Sequence, residues 1–181
     1  GLEIGIAANR LRHWLAAGRH GEMGYMARHL DQRADPAQLV PGTRSVITVR
    51  LDYLPQTHAA IHAALHAPQR AYIARYALGR DYHKLIRPRL KRLAQALQKP
   101  LGGFAYRPFT DSAPVLEKPL AVRAGLGWIG KHTNLVSRDA GSWCFLGELY
   151  TDLPPPEPPP RASPDHCGRC QRCLEICPTA A

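Results

Sequence analysis

Long hydrophobic runs, lysine and dispersed cysteine are all scarce in this chain of 181 residues, and each scarcity removes a class of answers. No stretch approaches the ~18 consecutive apolar residues of a membrane-crossing helix, and the N-terminus lacks the basic, apolar, small-residue order of a secretory signal. No membrane association is indicated, and the chain is expected in the cytoplasm. Outside residues 167–177 the sequence has one cysteine, Cys144, so it is a poor disulfide framework. Four thiols crowded into the last fifteen residues instead suit a metal nest in a reducing compartment. Only five of the 24 cationic residues are Lys; nineteen are Arg, and the formal charge is +10. Arg forks match phosphate and planar anions, but an Arg-biased genome gives the same count, so charge alone leaves nucleic acid undecided.

What is present is enough to fold. At 45% hydrophobic residues the chain can bury a core. Apolar periodicity predicts helices over 6–17, around 23–30, over 56–67, over 82–98 and over 116–124, with a short one opened by Asp35-Pro36. Pro88 is expected to kink the basic helix or mark its start. The β-branched run 45–51 reads as a core strand buried on both faces, 104–109 alternates like a strand, and 133–136 and 143–150 read as two strands joined by the turn Arg138 to Gly141. This order predicts an α+β fold, a mixed sheet with flanking helices. Seven prolines between Pro154 and Pro164 form an extended linker, which divides the chain into a main domain, 1–153, a linker, 154–164, and a small C-terminal segment, 165–181. A start at Gly1 inside a strand-like stretch and an end just after Cys177-Pro178 read as cut edges, so the chain is expected to be a fragment.

The strongest motif is Cys167-x2-Cys170-x2-Cys173-x3-Cys177-Pro178, the spacing of a bacterial ferredoxin. Three closely spaced thiolates hold three corners of a cubane, while the fourth reaches a different cluster; structural zinc prefers two pairs separated by a longer loop. Cys167, Cys170 and Cys173 therefore need one more ligand, and Cys177 needs three partners, from a second run that this sequence lacks. Cys144, inside a predicted strand, reads as a buried inert thiol. The glycines at 125, 127 and 130 imitate a nucleotide loop, but they follow a helix and precede a strand, and His132 stands where a Walker loop requires Ser or Thr. They are better read as permitting close backbone approach. Asp111, just before a helix, is by default a cap, and otherwise a proton-donating acid in a closed site. His58, His62 and His66 share one helical face, with no carboxylate or thiol nearby, and read as a solvated stripe. Asp81-Tyr82-His83 opens like the corrinoid motif D-x-H-x-x-G, but Ile86 replaces the glycine.

Taken together, Tyr25-Met26, Arg33-x-Asp35-Pro36, Leu39 to Gly42, Tyr76-Ala77-x-Gly79-x-Asp81-Tyr82-His83, Asp111-Ser112-x-Pro114-x-x-Glu117, Ala124 to Lys131 and the cysteine run keep their order along nearly the whole chain. In this combination the sequence resembles the epoxyqueuosine reductase family. The resemblance implies a base-off cobalamin-binding catalytic domain over 1–153 and a partial ferredoxin-type [4Fe–4S] segment over 165–181. It implies reduction of epoxyqueuosine to queuosine at the wobble position of tRNA, the last step of queuosine biosynthesis, with cobalamin fed by two clusters. By the same resemblance Asp111 is the proton donor, Tyr82 and His83 lie beside substrate and corrin, and Arg33, Arg75, Asp111, Lys131, His132 and Asn134 contact cobalamin. Cys167, Cys170, Cys173 and Cys177 are the cluster ligands. The implied partners are the modified tRNA and a reducing electron donor, the implied state a monomer. Two other readings are a related cobalamin and iron–sulfur enzyme of the reductive dehalogenase kind, and a pure electron-transfer module.

Overall fold

A computed structural model of the chain describes residues 2, 4–54 and 59–179, leaving aside the side chains at 59, 60 and 62. The central element is strand β5 (Cys144–Thr151), flanked by β1 (Ser45–Asp52) and β2 (Tyr106–Phe109) in the order β1-β5-β2, both antiparallel to it. The sheet is thus antiparallel throughout rather than mixed. The β-branched run forms β1 as predicted, but at an edge of the sheet and only half-buried, while the last five residues of β5 are fully covered. In a narrow sheet only the middle strand is screened by neighbours on both sides.

Each face of β5 receives a helix. On one side α5 (Tyr82–Leu101) packs Ile86, Leu90 and Ala94 against Leu149. The i, i+4, i+8 spacing gives α5 its apolar stripe, and Lys84, Arg87, Arg89, Lys91 and Arg92 occupy the exposed side. Gly147 allows this approach: a Cβ there would stand 3.0 Å from Ile86 and 3.1 Å from Leu90. Helix α5 starts at Tyr82, capped by the Asp81 carboxylate on the His83 N–H at 2.9 Å, runs through Pro88, and ends at Gly102 in the left-handed region. On the other side α6 (Glu117–Arg123) covers Phe109 and Tyr150 with Leu120, joined by Val115 and Ile4.

Helices α1 (Gly5–Ala16), α2 (Leu30–Ala34) and α3 (Pro36–Leu39) form the N-terminal side, and Asp35 caps α3 through the Ala37 N–H as its Asp-Pro pair predicts. The helix expected near 23–30 is only a 3-10 turn, Gly24–Met26, before α2. Helix α4 (Ala59–Leu65) falls in the histidine-bearing stretch; His58 and the His62 side chain lie outside the described residues, and with them any test of that stripe. The turn at Arg138–Gly141 connects β4 (Leu135–Val136) to β5 and is closed by one antiparallel bridge, Ser137 to Gly141, without pairing the two strands. Strand β4 pairs instead with Trp128–Ile129 (β3), a strand hidden inside the glycine motif. There a Cβ on Gly127 would collide with the Val136 carbonyl, so the glycines serve close backbone approach. The proline-rich segment lies along the body, with Pro155, Pro156, Pro159 and Pro160 facing Val46 and Leu120, and it leads to the short helix α7 (Arg172–Glu175). No helix among the described residues is long and apolar enough to cross a membrane.

Candidate active site

Where α5 begins, beside the loop that follows β2, the chain opens into a cavity of about 530 Å³. Its wall includes Tyr53, Tyr76, Tyr82, Asp111, Lys118 and Asn134. Tyr82 and His83 enter from the first turn of α5, and Asp111 comes down from the loop. The Tyr82 hydroxyl donates to Asp111 Oδ2, and His83 Nε2 lies 3.4 Å from the same oxygen. His83 Nδ1 lies 2.8 Å from Asp81 Oδ1, so the imidazole bridges two carboxylates. Tyr82 stacks face to face on Phe145 of β5, centroids 4.2 Å apart and 8° from parallel, which fixes the direction of its hydroxyl. Burial, and then the Asp111 carboxylate, push the Tyr82 hydroxyl well above the usual tyrosine range, so it stays a neutral donor. The His83 side chain holds the Asp81 carboxyl below its usual range.

Asp111 is not a helix cap. Helix α6 starts six residues later, at Glu117, and its N-cap position is Leu116. Asp111 instead has φ +53°, a left-handed conformation that non-glycine residues rarely adopt, and its side chain is 57% exposed and lines the cavity. Two contacts hold the loop: Glu117 Oε1 accepts the Asp111 N–H at 2.6 Å, and Arg87 of α5 donates to the Ser112 hydroxyl at 2.7 Å. The result is a carboxyl whose Oδ2 accepts from the Tyr82 hydroxyl with His83 Nε2 close by, facing an open cavity. Such an acid can release a proton to a bound oxygen while Tyr82 and His83 stabilise the carboxylate left behind.

The other predicted residues divide. Asn134 lines the same cavity, and its N–H donates to His132 Nδ1 at 3.1 Å, placing His132 behind that wall with Nε2 3.5 Å from Ser142. Lys131 points elsewhere: its Nζ donates to the Gly168 and Cys170 carbonyls at 3.0 and 2.9 Å. Arg33 sits on α2, donating to the Tyr25 carbonyl at 3.3 Å, and Arg75 lies in a 3-10 turn (Arg75–Ala77) next to the cavity residue Tyr76. Each arginine keeps a buried Nε without a hydrogen-bond partner among the described residues. Cys144, expected to be buried, is only half-buried and lies at the cavity edge, with its thiol pushed up by burial.

These residues lie within or beside the part of the chain with a recognised domain: residues 33–112 match the family described as Epoxyqueuosine reductase QueG, DUF1730. Over 181 residues the chain is 57% identical to the epoxyqueuosine reductase of Pseudomonas aeruginosa, covering 99% of this chain and 49% of that protein. Over nearly its whole length the chain is similar to epoxyqueuosine reductases. Its fold agrees with that of the epoxyqueuosine reductase of Streptococcus thermophilus at a TM-score of 0.81 and 29% identity, over 99% of this chain and 47% of that one. It agrees equally, at a TM-score of 0.81 and 25% identity over 97% of this chain and 45% of the other, with an epoxyqueuosine reductase crystallised with an epoxyqueuosine-modified tRNA stem loop. The chain thus spans about half the length of the epoxyqueuosine reductases it matches.

Among the epoxyqueuosine reductase motifs, Glu117 is present in the sequence without an evident task; the structure gives it one, on the Asp111 backbone. Glu148, Tyr53 and Phe145 go unnoticed in the sequence. The only available signal for Glu148 is a carboxylate in the midst of the apolar run Phe145 to Tyr150. In the cysteine segment the Cys170 N–H donates to the Cys167 carbonyl at 2.9 Å, and the Asp165 carboxylate accepts the Cys167 N–H at 2.8 Å. Among the described residues no group of three or more metal-binding side chains is gathered.

Proposed function

We propose that the complete protein to which this chain belongs reduces epoxyqueuosine in tRNA to queuosine, in the cytoplasm, and that this chain carries the catalytic cavity. The observation that carries the reading is the convergence of Tyr82, His83 and Asp111 on one oxygen at an open cavity. The relative crystallised with an epoxyqueuosine-modified stem loop supports tRNA as the partner.

Conversion of an epoxide to an alkene takes up a pair of electrons and a pair of protons and releases the oxygen as water. The cofactors fit the residues present in different degrees. The donor chemistry and spacing of Cys167, Cys170 and Cys173 suit three corners of a [4Fe–4S] cluster, with Cys177 left for another, although the thiols are not gathered into a nest. Tyr53, Tyr76, Tyr82 and Asn134 line the cavity and would hold a corrin there through aromatic and polar contacts. His83 is engaged by two carboxylates, and Ile86 is packed in the core, which agrees with cobalamin held without a protein imidazole. Bound cobalamin, reduced through the clusters, would supply the electrons.

This chain's own residues do the rest. Asp111 gives its proton to the departing epoxide oxygen; Tyr82 and His83 hold the resulting carboxylate; Asp81 fixes the imidazole. Asn134 and the His132 behind it shape the opposite wall, and Lys131 ties the cysteine loop to the body. Asp111→Asn in the complete protein tests the assignment. It keeps the shape and loses the proton, so turnover should fall by roughly 100-fold or more while cobalamin binding, read from its absorption spectrum, persists. Epoxide reduction at the wild-type rate in this variant overturns the role of Asp111.

A further inference from the structure

Two carboxyl groups lie behind the Asp111 loop, and the chemistry above uses neither side chain directly. Glu148, in the middle of β5, has no exposed surface, and neither of its oxygens meets an ordinary donor among the described residues. What faces it is another acid: the side chain of Glu117, the first residue of α6, in hydrogen-bonding contact. A carboxylate has no hydrogen to give, so two carboxyls form a hydrogen bond only if one of them is protonated. Leaving both charged would place like charges side by side, one of them, on Glu148, sealed from water.

The surroundings offer no counter-charge that removes this need. From α6 come Glu117 itself and Lys118, whose ammonium is pushed down by burial. β1 brings the Thr48 hydroxyl at the paired position and, two residues on, Arg50, engaged by Asp52 and Asp139. β2 brings Phe109 and the exposed Arg107, which lies over the Phe109 ring; β5 adds Tyr150, and the loop adds Asp111. Burial first, and then the charge of the neighbouring carboxyl, push Glu148 far above the usual carboxylate range, and Glu117 is raised as well.

We propose that Glu148 and Glu117 share one proton, and that this shared proton positions Asp111. Protonated Glu148 donates to Glu117, and Glu117 accepts the Asp111 N–H, holding the backbone in the left-handed conformation that places the Asp111 carboxyl against Tyr82 and His83. Both glutamates are positioning residues. Losing the shared proton makes the pair repel, turns Glu117 away and releases Asp111. The inference deepens the functional reading above and rests on it for its kinetic consequences.

The test uses the complete protein. Infrared spectra at neutral pH should show a protonated carboxylic acid band, shifted in D2O and absent from Glu148→Gln; this readout is independent of any activity. Glu148→Leu removes the donor and should lower kcat for epoxide reduction by roughly tenfold or more with KM little changed. Glu148→Gln, which still donates from its amide, should recover most of that loss and lack the alkaline fall of the wild-type kcat profile. Glu117→Gln, should Glu148→Leu fail to fold, is likewise expected to lose the alkaline fall. Absence of the band in the wild-type protein overturns the shared proton. A wild-type alkaline limb retained by Glu148→Gln, or full activity in Glu148→Leu, overturns the positioning role. If the wild-type protein shows the band but reduces no epoxide, the pair stands and the functional reading fails.

Discussion

At the scale of single residues, the protein concentrates its unusual features on one loop. Asp111 is left-handed without being glycine, its N–H is held by a carboxylate, and that carboxylate rests on another that is sealed from water. A pH dependence of stability follows from Glu148, and its sign can be worked out. Its folded-state affinity for a proton is raised, so the folded chain binds that proton where the unfolded chain has released it. The associated stability is complete below the ordinary carboxylate range, about 4.3, and is lost as pH rises through the raised folded value. Thermal unfolding of the wild-type protein should therefore move to lower temperature on going alkaline, and Glu148→Gln should flatten that slope. Parallel curves for the two proteins would contradict a protonated Glu148. Asp111, Tyr82 and His83 were singled out only through the family resemblance, since by its own surroundings Asp111 reads as a helix cap. Glu148 was not, because one acid in a strand reads as the solvent-facing half of an alternating pattern. Its burial is decided by α6, which arrives from a different part of the chain.

Among elements, α5 does most to place the site, since it supplies Tyr82 and His83 at its start and packs along the central strand. Its course was legible from the 3.6-residue apolar repeat, although Pro88 neither breaks nor starts it. The sheet was less so. The β-branched run at 45–51 suggested the centre, yet β5 takes it, because strand order depends on long-range pairing that local composition does not encode. Likewise β4 finds β3 rather than β5, since a two-residue strand among glycines leaves no periodic signal. Leu90, 1% exposed and touching the Gly147 position, is the point at which α5 is seated on β5. Leu90→Ala should cost about 2–5 kcal/mol in urea unfolding, from lost burial and the cavity left behind. Exposed Leu101, near the end of the same helix, is the control: its truncation should change little.

For the whole molecule, the question is how the cysteine segment is kept near the cavity-bearing body. The proline-rich stretch before it has few apolar side chains of its own, but it lies along the body, and the Arg161 carbonyl would stand 2.9 Å from a Cβ at Gly125. Beyond it, His166 meets Trp128 edge to face at 4.9 Å. Lys131 then reaches 37 and 39 residues ahead to the carbonyls of Gly168 and Cys170, within the turn that carries the first two thiols. These links start from the β3 region and its following turn, so the glycine motif, unsuited to nucleotides, instead presents Trp128 and Lys131 to the cysteine loop. Charged hydrogen bonds of this kind contribute more than neutral ones, and both are made by one ammonium group. Lys131→Met keeps the length of the side chain and deletes both bonds. Amides in 165–175 should then exchange with solvent roughly tenfold faster, while those of β5 keep their protection, because a surface tether governs local opening and not global unfolding. Equal exchange in the two proteins would show that the proline stretch and the Trp128–His166 contact hold the segment without Lys131.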